Sequence, residues 1–270
     1  MNGQRVLWLG GVARSGTSWL GQIFNSHPAV RFRFQPLFAY EFKNRINEDS
    51  SADEYAEFLN ELWDSDTEFL PQAGKVRTGE YPQFEASGSE QVLAFKENRY
   101  QSVIEPLLRR IDRAHFIGLI RHPCAVINSW SKNSREFPDG SILRDEWRFA
   151  SCKNNGPEDY FGFYRWKEVA NLYLDLQEKW PDRALVIRFE ELVRHRVEVC
   201  HRLFRLVGLE LDDQTSAFLD QSGSQHSGSY YSVYKSPDVV DCWQRELDPY
   251  ITSEIHADLA GTRLARFLDE

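Results

Sequence analysis

The sequence contains no CxxC pair. Its four cysteines, Cys124, Cys152, Cys200 and Cys242, stand far apart, which argues against a zinc site or a disulfide framework and for reduced thiols in a cytoplasmic setting. No apolar run approaches the ~18 residues that a membrane span needs. No charged leader precedes an apolar run near residue 1, so neither a transmembrane helix nor a signal peptide is expected. An excess of positive charge is missing too. With 32 Lys and Arg against 41 Asp and Glu, the formal charge is −9, and a surface of that sign does not suit nucleic acid or an anionic membrane. Any anion site has to be a local basic pocket in an acidic molecule. Repeats and low-complexity linkers are also absent, and 270 residues with 41% hydrophobic side chains suit one large core. One domain over residues 1–270 is expected.

What is present is an alternation of strand-like and helix-like segments. Residues 5–11 (RVLWLGG) read as a buried strand ending in glycines. Residues 15–26 then carry Trp19, Leu20, Ile23 and Phe24 at helical spacing until Pro28 stops the run. Further strands are expected at 29–34, 92–96 (VLAFK), 115–121 (HFIGLIR) and 184–189 (ALVIRF). Helices are expected at 37–47, 52–65, 100–113, 125–132, about 190–207 and about 249–267, with two aromatic-rich helices between 143 and 180. Residues 66–91 and 221–242, rich in turn-forming residues, read as irregular. Alternation of this kind predicts an α/β fold, a central parallel sheet with helices on both faces.

The stretch GGVARSGTSWL, from Gly10 to Leu20, nearly makes a nucleotide-triphosphate loop and lacks its lysine. Gly11 and Gly16 have the required spacing, but Thr17 stands where the lysine belongs, and the positive charge has moved upstream to Arg14. Strand, glycine turn and helix still offer an anion the free amides and dipole of a helix N-terminus, with hydroxyls from Ser15, Thr17 and Ser18 and the charged fork of Arg14. The same residues also suit an ordinary strand-to-helix turn, where Ser and Gly are good caps. A second absence argues against a triphosphate. No apolar strand ends in the aspartate that would hold Mg²⁺; HFIGLIR ends in Arg121, and ALVIRF runs into Glu190-Glu191. A donor with less phosphate and no obligatory metal fits better. Arg121 closes a predicted strand at the end where open α/β sheets bind ligands. Ser129 follows eight residues on, and Pro123 lets the chain fold back so that both reach one anion. Taken alone, a surface ion pair for Arg121 and a bland helix position for Ser129 are the plainer readings.

In their order along the chain, ARSGTSWL…NSHP, IRHPCAVINSW and VIRFEEL resemble the sulfotransferases that use 3′-phosphoadenosine 5′-phosphosulfate (PAPS) and release 3′-phosphoadenosine 5′-phosphate (PAP). The resemblance implies their P-loop-like fold. It places Arg14, Ser15, Gly16, Thr17, Ser18 and Trp19 around the 5′-phosphosulfate, and Arg121 and Ser129 on the 3′-phosphate. It puts Phe189 near the adenine and Lys235, ahead of Trp243, in a basic loop over the nucleotide; a core phenylalanine and a solvated loop lysine are the alternatives. The implied activity is metal-independent transfer of a sulfuryl group to a hydroxyl or amine of a small-molecule or carbohydrate acceptor. Arg14 in place of lysine is nearer the carbohydrate and tyrosyl-protein branches. The missing leader is unlike their Golgi members, so a soluble bacterial member is the best compromise. The rival readings are a P-loop kinase or NTPase and a relative that kept the nucleotide site and lost catalysis.

The catalytic base is the last thing missing. The Lys-x-His motif of the phenol and steroid branch is replaced by Lys96-Glu97-Asn98, and the Glu-Pro of several carbohydrate enzymes reads Gln35-Pro36. A glutamine cannot take the acceptor's proton. Glu97 is the first candidate, followed by Glu41 and Glu80. Lys96 is a candidate to polarise the bridging oxygen together with Arg14. Strand alternation turns Lys96 and Glu97 to opposite faces unless the chain bends just after Lys96. His27 and His122 have no evident place as a base. Trp147, Tyr160, Tyr164, Trp166 and Tyr173 offer stacking surface for an acceptor or, at helical spacing, core.

Overall fold

The computed structural model describes residues 3–38, 40–224 and 239–268. Five parallel strands, β1 (Arg5–Gly10), β2 (Val30–Phe34), β3 (Val92–Lys96), β4 (Ala114–Ile120) and β5 (Ala184–Arg188), form one sheet in the order β2-β3-β1-β4-β5. The helices are α1 (Thr17–Asn25), α2 (Ala52–Asp64), α3 (Ala73–Arg77), α4 (Ile104–Arg110), α5 (Pro123–Ser131), α6 (Leu143–Glu146), α7 (Gly162–Lys179), α8 (Phe189–Arg194), α9 (Arg196–Leu206), α10 (Asp213–Ser224), α11 (Trp243–Glu246) and α12 (Pro249–Leu259). This is the α/β architecture expected from the sequence.

The central strands are apolar almost throughout because both sheet faces are covered. On β1, Val6 and Trp8 enter a core shared with α2, α4, α5, α7 and α12. Leu7 and Leu9 enter the other core, shared with α1, α8, α9 and α10. Close packing explains the glycines at the end of β1 and in the middle of β4. A Cβ on Gly10 would lie 2.6 Å from the Tyr173 hydroxyl, and one on Gly118 would lie 2.5 Å from the same ring. Among the described residues no helix is long and apolar enough to cross a membrane, and the four cysteines are free.

Several boundaries differ from the sequence reading. Residues 37–47 hold no α-helix. They form a 3-10 turn at Tyr40–Phe42, and the left-handed backbone of Gln35, Tyr40 and Asn44 prevents a continuous helix. The 143–180 region has one long helix, α7, preceded by the single turn of α6. The helix expected at 190–207 breaks at His195 (φ −126°, ψ 40°) into α8 and α9. The 100–113 segment is shorter, a 3-10 turn leading into α4. Helix α12 stops at Leu259, and a separate 3-10 turn follows at Arg263–Phe267. In the stretch expected to be irregular from 221, α10 continues to Ser224.

Parallel strands deliver the turns after β1, β3, β4 and β5 to one edge of the sheet. The connection from β1 leaves through α1 toward one face, and that from β4 leaves through α5 toward the other. Neighbouring strands whose connections diverge open a crevice at their C-terminal ends, the place where open α/β sheets bind ligands.

Candidate active site

A cleft of about 750 Å³ occupies that edge. The turn from β1 to α1 forms one side. Arg14 adopts left-handed backbone (φ 72°), as does Gly16 (φ 91°), which caps α1. Gly16 has a second constraint, because an added Cβ would come within 2.5 Å of the Phe189 ring. The amides of Thr17 and Ser18 have no backbone partner among the described residues and no side chain caps them, while that of Trp19 donates to the Gly16 carbonyl at 3.0 Å. The Ser15 hydroxyl is fully buried with no hydrogen-bond partner among the described residues. A buried hydroxyl beside open helix-start amides is arranged for an anion.

The second motif lies against the first. Arg14 donates from Nε to the Ser129 hydroxyl at 3.2 Å. Arg121 donates from Nη1 to the Arg14 carbonyl at 3.0 Å and from Nη2 to the Val239 carbonyl at 2.6 Å. Its Nε is buried without a partner among the described residues. Burial lowers the Arg121 guanidinium pKa to about 10, well within the charged range at neutral pH. Phe189 packs 4.8 Å beneath that guanidinium and edge-on to Trp19, with ring centroids 6.2 Å apart. Trp19 is fixed by its indole N–H on the Ser222 hydroxyl at 3.0 Å. Arg14, Gly16, Thr17, Ser18, Trp19, Arg121, Ser129 and Phe189 therefore all line one cleft. Lys235 lies outside the described residues.

The end of β3 sorts its side chains by parity. Lys96 follows Val92 and Ala94 onto the α1 face and enters the cleft, its ammonium 4.8 Å from the Phe34 ring centre. Burial depresses its pKa to about 8. Asn98, with its amide oriented to satisfy its neighbours, donates to the Thr17 hydroxyl at 3.0 Å and accepts from Lys96 Nζ at 3.3 Å. Glu97 follows Leu93 and Phe95 to the opposite face. Its side chain is wholly buried and does not line the cleft; Oε1 accepts from the amides of Asn98 and Arg99 at 3.0 and 3.2 Å. The expected reach of Glu97 into the site beside Lys96 is not observed, because the chain closes a turn over the carboxylate instead of bending back. Burial raises this carboxyl above the usual range.

The other sequence candidates are also elsewhere. Glu41 is exposed and accepts from the hydroxyls of Ser65 and Thr67 at 2.6 and 2.5 Å. Glu80 pairs with Lys75 at 3.4 Å, and neither carboxylate lines the cleft. Gln35 does. Tyr160 also lines it, whereas Trp147, Trp166 and Tyr173 are core and Tyr164 lines a separate groove. The structure adds residues that no motif announced. Among the described residues, Lys75, Arg99, Lys132, Arg135, Lys153 and Arg196 bring the cationic lining to nine, against the two carboxylates Glu136 and Glu246. Phe34, Phe38, Phe69 and Phe161 supply apolar wall. These positions come from turns and helix ends without a fixed spacing, so only their charge marks them in the sequence.

The fold matches solved structures along nearly its whole length. Mouse sulfotransferase SULT7A1 complexed with PAP is 12% identical, with a TM-score of 0.57 over 98% of this chain and 88% of that one. Retinol dehydratase in complex with retinol and PAP is 15% identical, with a TM-score of 0.55 over 96% and 82%. The sulfotransferase domain of the Synechococcus PCC 7002 olefin synthase is 17% identical, with a TM-score of 0.52 over 96% of both chains. No curated protein matches at the sequence level. The sulfotransferase family model matches residues 7–213, a span that takes in β1 through the start of α10 and both anion motifs, and the chain belongs to the sulfotransferase family.

Proposed function

We propose that this chain transfers the sulfuryl group of PAPS to a hydroxyl or amine of a small acceptor. The observation that carries the reading is the joining of two anion motifs, 115 residues apart, through the Arg14–Ser129 hydrogen bond. The helix-start amides with Ser15, Thr17 and Ser18 receive the 5′-phosphosulfate, while Arg121 and Ser129 receive the 3′-phosphate. Phe189 and Trp19, packed edge-on against each other, wall one side of the adenosine. PAP in the mouse sulfotransferase and retinol dehydratase complexes supports the same donor here.

In-line transfer builds negative charge on the oxygen bridging sulfur and the 5′-phosphate. Arg14 and Lys96 are placed to stabilise that charge, and they work best where burial excludes water. The aromatic wall formed by Phe34, Phe38, Phe69, Tyr160 and Phe161 offers the acceptor an apolar seat.

Thermal unfolding with PAP, compared with ATP and Mg²⁺, tests the donor. PAP at ~100 times its Kd stabilises by about 2.7 kcal/mol. The effect is expected to persist in EDTA, since Glu246, one of the two carboxylates that line the cleft among the described residues, is already held by Lys132 at 2.5 Å. Stabilisation by ATP–Mg²⁺ alone would return the site to a phosphotransferase.

A further inference from the structure

We propose that Glu136 is the general base that takes the proton from the acceptor. The inference rests on the donor reading above and supplies the group that reading lacks. Among the described residues, no histidine lines the cleft, and its carboxylates are Glu136 and Glu246. Glu246 is committed. It pairs with Lys132 at 2.5 Å and accepts from Asn128 Nδ2 at 2.7 Å, and these contacts hold its carboxyl below the usual range, making it a poor proton acceptor. The Tyr160 phenol is pushed up to about 12 by burial and is protonated at working pH. Cys242 is also raised by burial.

Glu136 belongs to the turn that follows α5. Its amide donates to the Asn133 carbonyl at 2.8 Å, and its own carbonyl accepts the Trp130 indole N–H at 3.2 Å. Asn133 and Trp130 are buried, so the main chain that carries the carboxylate is pinned from two sides. The carboxylate is near enough to Lys96 to favour the ammonium form. Lys96 is also the group assigned to the bridging oxygen, and both residues line the same cleft, so the proposed base lies within electrostatic reach of the group that would carry the leaving-group charge. In the step, the acceptor oxygen forms a bond to sulfur as the bond from sulfur to the bridging oxygen breaks. That electron pair stays on the 5′-phosphate of PAP, and the acceptor proton passes to the Glu136 carboxylate.

The test uses the full chain carrying Glu136→Gln, with PAPS as donor. The acceptors are 1-octanol, 2-naphthol and N-acetylglucosamine, with 4-nitrophenol, which is largely ionised above neutral pH, as the acceptor that needs no base. The expected result is a loss in kcat of about 10²–10⁴-fold for the un-ionised hydroxyls. 4-Nitrophenol transfer should stay near wild type, and so should PAP affinity measured near pH 6, well below the Lys96 titration. No loss, or an equal loss with 4-nitrophenol, overturns the assignment. If wild type accepts none of the four, NMR titration of ¹³C-methylated lysines decides the question, with Lys96 identified by Lys96→Arg. Glu136→Gln should move the Lys96 titration to lower pH, and an unmoved titration overturns the proposal. Failure of PAP to bind the wild-type protein would instead remove the donor reading, leaving the Lys96–Glu136 proximity measurable by itself.

Discussion

Replacing Arg121 with alanine separates recognition of the 3′-phosphate from everything else the arginine does. Its side chain is 7% exposed and stacks on Phe189. It already spends two donors on the carbonyls of Arg14 and Val239. Loss of a charge-assisted hydrogen bond to phosphate costs ~1.5–3 kcal/mol, which is about a 10–150-fold rise in Kd for PAP. Freeing the Arg14 carbonyl also loosens the first loop, and that loss falls equally on any adenosine 5′-phosphate ligand. Calorimetric titration with PAP and with AMP, which lacks the 3′-phosphate, therefore isolates the phosphate contribution as the difference between the two losses. PAP should lose about ten-fold or more beyond AMP. Arg121→Lys should fall between, since a point charge keeps the attraction but not the planar fork. Equal losses for PAP and AMP would refute the assignment and reduce Arg121 to a support for the loop.

Lys96, with its pKa depressed to about 8 by burial, should make PAP binding pH-dependent. Affinity is highest where the ammonium is present and weakens as pH rises through about 8, by at most ~10-fold per pH unit for one proton; Lys96→Met should abolish the break. The same shift has a stability sign. Between about 8 and the ordinary lysine value, the unfolded chain holds a proton that the folded chain does not, so this group's contribution to stability rises with pH in that window, measurable by urea unfolding. Gly16→Ala should destabilise the chain by roughly 1–3 kcal/mol, from left-handed strain and the 2.5 Å clash with Phe189, and weaken PAP in parallel; a neutral result in urea unfolding would refute the loop geometry. Glu97→Gln should leave kcat close to wild type, because the carboxylate faces its own turn, but should shift the pH break in PAP binding downward by removing a negative charge next to Lys96. A loss of kcat as large as that expected for Glu136→Gln would restore Glu97 as the base.

The sheet is legible because its strands are short apolar runs closed by glycine, lysine or arginine, and burial on both faces leaves no other reading of RVLWLG, VLAFK or HFIGLI. The anion motifs are legible for a related reason. A phosphate site needs glycine geometry and hydroxyls at a helix start, and these are local in sequence. What escapes is decided by tertiary contact. The bond from Arg14 to Ser129 links segments whose distance apart along the chain says nothing of their contact. The helix expected at 37–47 has suitable residues but is overruled by left-handed backbone at Tyr40 and Asn44 within it and at Gln35 just before it. Glu97 and Lys96 were separable by strand parity alone; the turn that covers Glu97 was not foreseeable. Glu136 has no motif because it is held in place by Asn133 and Trp130.

Arg14 spans both halves of the proposed donor site. Its Nε rests on Ser129, and its carbonyl holds Arg121. An incoming group at either end must disturb this shared residue, so the free energy of seating one end depends on whether the other is filled. A nucleotide with a single phosphate meets that reorganisation cost with one set of contacts, and a nucleotide phosphorylated at both ends meets the same cost with two. Under the proposed assignment, selection against the abundant mononucleotides of a cell would be a property of the pair of ends together, a coincidence requirement built from one arginine in a left-handed backbone conformation.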